Sequence, residues 1–70
     1  EDQKKMGLAM LASLKEDLEH CREKGYLGQA RDSFGRAIGV VMCMAVTGII
    51  TDDEEKELRE EMYRNHYVHE

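Results

Sequence analysis

The amino-acid sequence predicts an all-α fold, in which an antiparallel helical hairpin is followed by a short third helix and assembles as a helical homo-oligomer. Apolar residues recur every three or four positions through most of the 70 residues, which is the period of one helix face. Glycines stand where two of the three segments would end, and a capping sequence stands where the third begins. We therefore expect one small helical domain spanning residues 1–70.

The first helix is expected over residues 2–24. Gly25 follows a cationic last turn, which is the usual order at the end of a helix. The apolar face of this helix is expected to consist of Met10, Leu11, Leu14, Leu18 and Cys21.

The second helix is expected over residues 27–46 and ends before Gly48. Residues 40–46 are apolar on every side, so a buried strand is the alternative for this stretch. The apolar stripe continues in phase from Leu27, and Met and Ala favour helices, so a helix is the better interpretation. The stripe consists of Leu27, Ala30, Phe34, Ala37, Ile38, Val41, Met44 and Ala45.

The third helix is expected over residues 52–65. Thr51 and Glu54 form a capping box at its start, and acidic residues fill its first turn. Its apolar seam is thin, with only Leu58 and Met62. Most of this helix should therefore face solvent, and residues 66–70 are expected to fray or to dock loosely.

Composition excludes several classes of function. The net charge of −5, from 15 acidic and 10 basic residues, argues against direct binding of nucleic acid. The longest uncharged stretch, residues 37–50, is shorter than the ~20 residues that a membrane-spanning helix needs. Two cysteines cannot form a disulfide framework, so a reducing compartment, the cytoplasm, is expected. In the predicted hairpin Cys21 and Cys43 are ~20 Å apart, too far to bridge, and both are expected to be buried.

Motifs for catalysis, cofactors or metals are missing. Residues 43–54 imitate a calcium loop because Gly48 and Glu54 occupy the right positions. However, Cys43 and Ala45 stand where side-chain oxygens must bind the ion, so calcium binding is rejected. Histidines and cysteines do not have zinc-site spacing, and no serine has the context of a nucleophile. The protein is expected not to be an enzyme and to need no cofactor.

A second flank of the middle helix is the strongest functional signal. Two glycines four residues apart each cost ~1 kcal/mol in a helix interior, and they allow another helix to approach closely. The seam of the third helix offers too little apolar surface to cover this flank, so a homo-oligomer is expected, most simply a two-fold dimer. A different protein partner and a closed monomer are the alternatives. The self-association residues are expected to be Gly35, Gly39, Met42, Cys43 and Val46.

These features predict a non-catalytic interaction module, such as a regulator, adaptor or inhibitor that works stoichiometrically. The alternative is an oligomer that holds an anionic, nucleotide-like ligand in inter-subunit clefts lined by Arg31 and Arg36. Ion pairing with nearby carboxylates is the plainer role for these arginines. A third hypothesis is that the acidic helix inhibits a nucleic-acid-binding protein. The surface presented to a partner protein is expected to consist of Glu57, Glu60, Glu61, Tyr63 and Tyr67.

Overall fold

Three α-helices make up the fold. The computed structural model describes residues 2–69, and within that range the helices are α1 (Asp2–Lys24), α2 (Leu27–Val46) and α3 (Asp52–Asn65), with no strand. The all-helical prediction is confirmed. Residues 40–46, for which a strand was the alternative, belong to α2.

The first two helices both end at a glycine in the left-handed region. Gly25 has φ 79°, and the amide of Tyr26 donates to the carbonyl of Cys21 at 2.8 Å. Gly48 has φ 81°, and the amide of Ile49 donates to the carbonyl of Met44, also at 2.8 Å. These bonds satisfy carbonyls that the last helical turn leaves without an intrahelical partner.

The start of α3 is capped in both directions. The Thr51 hydroxyl accepts from the Glu54 amide at 3.1 Å, and the Glu54 carboxylate accepts from the Thr51 amide at 2.9 Å. The same carboxylate is 2.8 Å from the ammonium group of Lys4 in α1. The hydrogen bond from Lys4, followed by that from the Thr51 backbone, holds the pKa of Glu54 below its usual range.

The core is centred on α2, which contacts both of the other helices. Gly7 lies against the side chain of Met44, and the Cys21 thiol is 3.8 Å from the amide oxygen of Gln29. A Cβ at Gly7 would overlap the Met44 sulfur, so this glycine lets α1 and α2 come close together. The buried residues are Leu11, Leu18, Ala30, Phe34, Ala37, Val41, Met44, Ile50, Met62 and Val68.

Two residues of the expected apolar faces lie outside the core. Met10 and Leu27 are exposed. The buried side of α1 is narrow and centred on Leu11 and Leu18, and Met10 is one residue, or about 100° around the helix, from Leu11. Leu27 is the first residue of α2, and the buried residues of that helix begin only at Ala30.

Ion pairs connect α1 to the C-terminal part of the chain. Their residue numbers rise together along both segments, so α1 and α3 run in the same direction. Two of the pairs use long lysine and glutamate side chains, and they join α1 to α3, which share the surface of α2 without packing closely on each other. The third joins α1 to the tail. The pairs are Lys4–Glu54 at 2.8 Å, Lys15–Glu61 at 2.6 Å and Glu19–His66 at 2.9 Å.

Residues 66–69 of the C-terminal tail dock on the helices, which corrects the expectation that the tail frays or docks loosely; Glu70 lies outside the described residues. Val68 is only 5% exposed. His66 lies between two carboxylates, with Nδ1 2.9 Å from Glu19 and Nε2 3.3 Å from Glu61. The Tyr67 ring meets the Phe34 ring edge-on at 5.6 Å. Apolar burial and polar contacts therefore act together to hold the tail against the helices.

The Lys15–Glu61 pair predicts a dependence of stability on pH. The hydrogen bond from Lys15 lowers the pKa of Glu61, and the charge of His66 adds to the effect. A lowered pKa stabilises the fold at pH values above ~4.3, the unperturbed value, and this contribution is lost as the pH falls through the folded-state value. We expect Glu61→Gln to lower the free energy of unfolding by about 0.5 kcal/mol at neutral pH.

Urea denaturation at pH 7 and at pH 3 measures this difference. The wild type and Glu61→Gln should converge at the acid end, because the wild-type carboxylate is then increasingly protonated. Glu57→Gln, at an exposed position of the same helix, is the matched control and should change stability little at either pH. An equal loss for Glu61→Gln at both pH values would contradict the role of the ion pair.

Candidate interaction surfaces

The five residues expected to mediate self-association lie on one side of α2, here called the α2 face. Met42 is 51% exposed and Val46 is 86% exposed. Apart from the adjacent residues and the backbone of α2 itself, no heavy atom lies within 4 Å of the position that a Cβ would occupy at Gly35 or Gly39. Cys43 is an exposed free thiol, so the expectation that it is buried is wrong for the single subunit. The described C-terminal residues, 52–69, border this face but do not cover it.

The position of α3 explains why the α2 face stays uncovered. The buried Met62 and the ion pairs with α1 place α3 over the side of α2 that also meets α1. A groove of about 390 Å³ remains beside α3, lined by Met42, Ala45, Val46, Glu55 and Arg59. Its floor is apolar, and its border is an ion pair in which Arg59 Nε donates to Glu55 at 2.8 Å. This bond raises the pKa of Arg59.

Further apolar side chains are exposed at the same end of the molecule. Met6 and Met10 flank Gly7 in α1, and Gly7 lies against Met44 in the C-terminal half of α2. Together with Met42 and Val46, they concentrate exposed apolar surface around that half of α2. Apolar surface of this kind, when contiguous, is typical of a protein–protein contact.

The surface expected to meet a partner protein is divided by the structure. Glu57, Glu60 and Glu61 line one shallow depression of about 400 Å³, together with Arg64. Glu61 is also bound to Lys15, so it supports the fold as well as contributing charge. The two exposed carboxylates, Glu57 and Glu60, are the part of this set that points away from the other helices.

Tyr63 and Tyr67 form a separate aromatic surface. Their rings stack at 5.7 Å with an interplanar angle of 24°, and both meet the edge-on ring of Phe34. Tyr63 is 51% exposed and Tyr67 is 43% exposed. Tyr63 follows Glu61 by two positions, which is about 200° around a helix, but it follows Glu60 by three, which leaves the two only about 60° apart. The aromatic rings therefore lie beside Glu60 and away from Glu61. Sequence reasoning missed Phe34 as the base of this cluster, although the four-residue spacing of the tyrosines was a signal.

Arg31 and Arg36 lie on different sides of α2. Five positions along a helix turn by about 140°, so the two guanidinium groups leave α2 in different directions. Arg36 lines a groove of about 280 Å³ between α1 and α2, and Asp17 and Asp32 line the same groove. Two carboxylates beside one arginine make this groove unfavourable for an anion. The hypothesis of a nucleotide-like ligand concerns clefts between subunits and stays a prediction.

Within residues 2–69, no three histidine, cysteine or acidic side chains converge in a way that could hold a metal ion. None of the three helices, over those same residues, combines the length and apolar character needed to cross a lipid bilayer. Cys21 and Cys43 are both free thiols.

In comparisons with known proteins, no family model, no curated protein and no solved structure matches this chain.

Proposed function

We propose that this protein is a non-catalytic interaction module that self-associates through the α2 face and presents α3 to a partner protein. Two copies related by a two-fold axis are the simplest assembly, because one surface then serves both subunits. The proposal includes an antiparallel hairpin of α1 and α2, supported by the contact of Gly7 with Met44 and of Cys21 with Gln29. The free cysteines fit a reducing compartment such as the cytoplasm.

The observation that carries the proposal is the open space beside Gly35 and Gly39. Glycine lowers helix stability by about 1 kcal/mol relative to alanine, and neither of these glycines makes room for anything inside the subunit. A second helix approaching the α2 face supplies the missing reason for both. The same approach would bury Met42 and Val46, and fully burying an apolar side chain of this size contributes about 1.5–3 kcal/mol.

Gly39→Leu is expected to separate the subunits. A leucine at this position points into the space that the second helix must enter, whereas its Cβ has open space within its own subunit. The wild type should have a mass of twice 8.1 kDa by light scattering or sedimentation, and Gly39→Leu should have the subunit mass. Circular dichroism should show the same helix content for both proteins.

Ser13→Leu is the matched control, because it adds the same side chain at an exposed position of α1. It should leave the mass unchanged. A wild-type chain that stays monomeric across a dilution series contradicts self-association and leaves the α2 face to a different protein.

The outward side of α3 is the surface that we assign to a heterologous partner. Glu57 and Glu60 are exposed there, and the stacked pair of Tyr63 and Tyr67 offers aromatic faces to cations nearby. A basic, arginine-containing helical segment has the chemistry to meet both groups. The acidic depression supplies long-range attraction, and the rings supply contact area.

Charge reversal tests this assignment with an arginine-rich helical peptide as the probe. The double variant Glu57→Lys/Glu60→Lys should weaken binding at least tenfold in a fluorescence titration, since it replaces attraction by repulsion. Asp52→Lys/Asp53→Lys, at exposed positions in the first turn, makes the same change in net charge and should weaken binding less. Equal losses for the two variants would show that only net charge matters.

A further inference from the structure

The middle helix carries two seams with the same spacing. The buried seam of α2 consists of Ala30, Phe34, Ala37, Val41 and Met44, with alternating steps of four and three residues. The exposed seam consists of Gly35, Gly39, Met42 and Val46, with steps of four, three and four. This alternation keeps a stripe facing a neighbouring helix over several turns. At 100° per residue the two seams lie about 150° apart, so an occupant of the exposed seam would lie almost opposite the core.

The exposed seam changes in height from one end to the other. Its first half is flat, because a Cβ at Gly35 or Gly39 would have open space around it. Its second half is raised, because Met42 and Val46 project into solvent. A helix fits this surface best when it offers large residues to the glycines and small residues to Met42 and Val46. The seam of α2 itself, in the reverse direction, has that order.

We propose that a second copy of the chain packs its α2 antiparallel to the first across a two-fold axis. Met42 of each subunit then lies over the partner subunit's Gly39, and Val46 lies over the partner subunit's Gly35. In an antiparallel pair about one two-fold axis, the residue numbers of facing positions have a constant sum. A single axis therefore produces both contacts, because the pair 42 and 39 has the same sum as the pair 46 and 35. This inference rests on the proposed self-association and adds its direction and register.

Size matching disfavours the parallel arrangement. In a parallel pair each glycine would face its own copy and draw the helices together, whereas Met42 and Val46 would face their own copies and hold the helices apart. Straight helices have one interaxial distance at a contact, usually 8–10 Å. Only the antiparallel pairing lets all four seam positions share that distance.

The helix dipoles favour the same direction, because the dipoles of two antiparallel helices are opposed.

Cysteine pairing tests the register. In a background with Cys21→Ser and Cys43→Ser, two single variants are prepared, Gly35→Cys and Val46→Cys, both at exposed positions. A disulfide requires Cα atoms within about 7 Å. The antiparallel register predicts that oxidation of a mixture of the two variants yields the mixed covalent dimer, and that neither variant alone is cross-linked.

The outcomes separate this inference from the proposal on which it depends. Self-linking of Val46→Cys or Gly35→Cys, with a dimeric mass for the background protein, would overturn the antiparallel register and leave self-association intact. A monomeric mass for the background protein and the wild type would overturn both. Random collision would link every combination equally, which also counts against the inference, and a dilution series during oxidation identifies it.

Discussion

Met62→Ala is expected to lower the free energy of unfolding by about 3 kcal/mol, because truncation of a buried methionine removes apolar burial and leaves a cavity. Met62 is the buried residue of α3 and is fully enclosed in the core, whereas Leu58 of the same helix is only partly buried. A domain of this size has a total stability of roughly 4–10 kcal/mol. The substitution should therefore remove a large part of it, and urea denaturation followed by circular dichroism measures the loss.

Met6→Ala is the matched control for this prediction. It makes the same chemical change in a helix, but Met6 is 69% exposed, so the free energy of unfolding should change by no more than about 0.5 kcal/mol. Similar values for the two variants would mean that α3 does not depend on Met62 for its attachment. Both variants should be measured at low protein concentration, where self-association contributes least to the free energy of unfolding.

Gly35→Ala/Gly39→Ala is expected to have opposite effects on the subunit and on the assembly. Alanine raises helix stability by about 1 kcal/mol at each position, and the added methyl groups meet open space in the subunit. The dilute protein should therefore melt several degrees higher than the wild type. The dissociation constant of the dimer should rise, because the methyl groups occupy the space into which the partner's Met42 and Val46 would pack. Thermal melting and sedimentation, performed on the same samples, test both effects.

Gly48→Ala is the contrasting variant, because Gly48 is required by the backbone conformation of its own subunit. Its φ of 81° is unfavourable for any residue with a Cβ, so this variant should lose about 1–2 kcal/mol. If Gly39→Ala also destabilises the dilute subunit, the space beside α2 is not open. If it stabilises the subunit and leaves the dimer unchanged, the glycines are not part of the contact.

The helix ends were predictable because they depend on bonds between near neighbours. Glycine is favoured at positive φ, and both Gly25 and Gly48 adopt it. The Thr51 capping box joins two residues only three positions apart. The separation of Tyr63 from Glu61 was equally accessible, since helical geometry alone sets residues two positions apart on nearly opposite sides.

The tail and the exact edge of the core could not be predicted in this way. His66 contacts Glu19, and Phe34 contacts Tyr67, and nothing in the local sequence of either partner specifies the other. Met10 belongs to an apolar pattern and is nevertheless exposed, because the number of helices packed on α1 decides how wide its buried side is.

By itself, the sequence determined three helices, their ends and an apolar middle helix with glycines on its second flank, because helical period, capping and backbone freedom are local properties. Only the tertiary structure decided that α3 and the tail occupy one side of α2 and leave the α2 face open. The physical reason is that long-range burial of Met62 and Val68, together with ion pairs to α1, selects one of several placements that the local pattern allows equally.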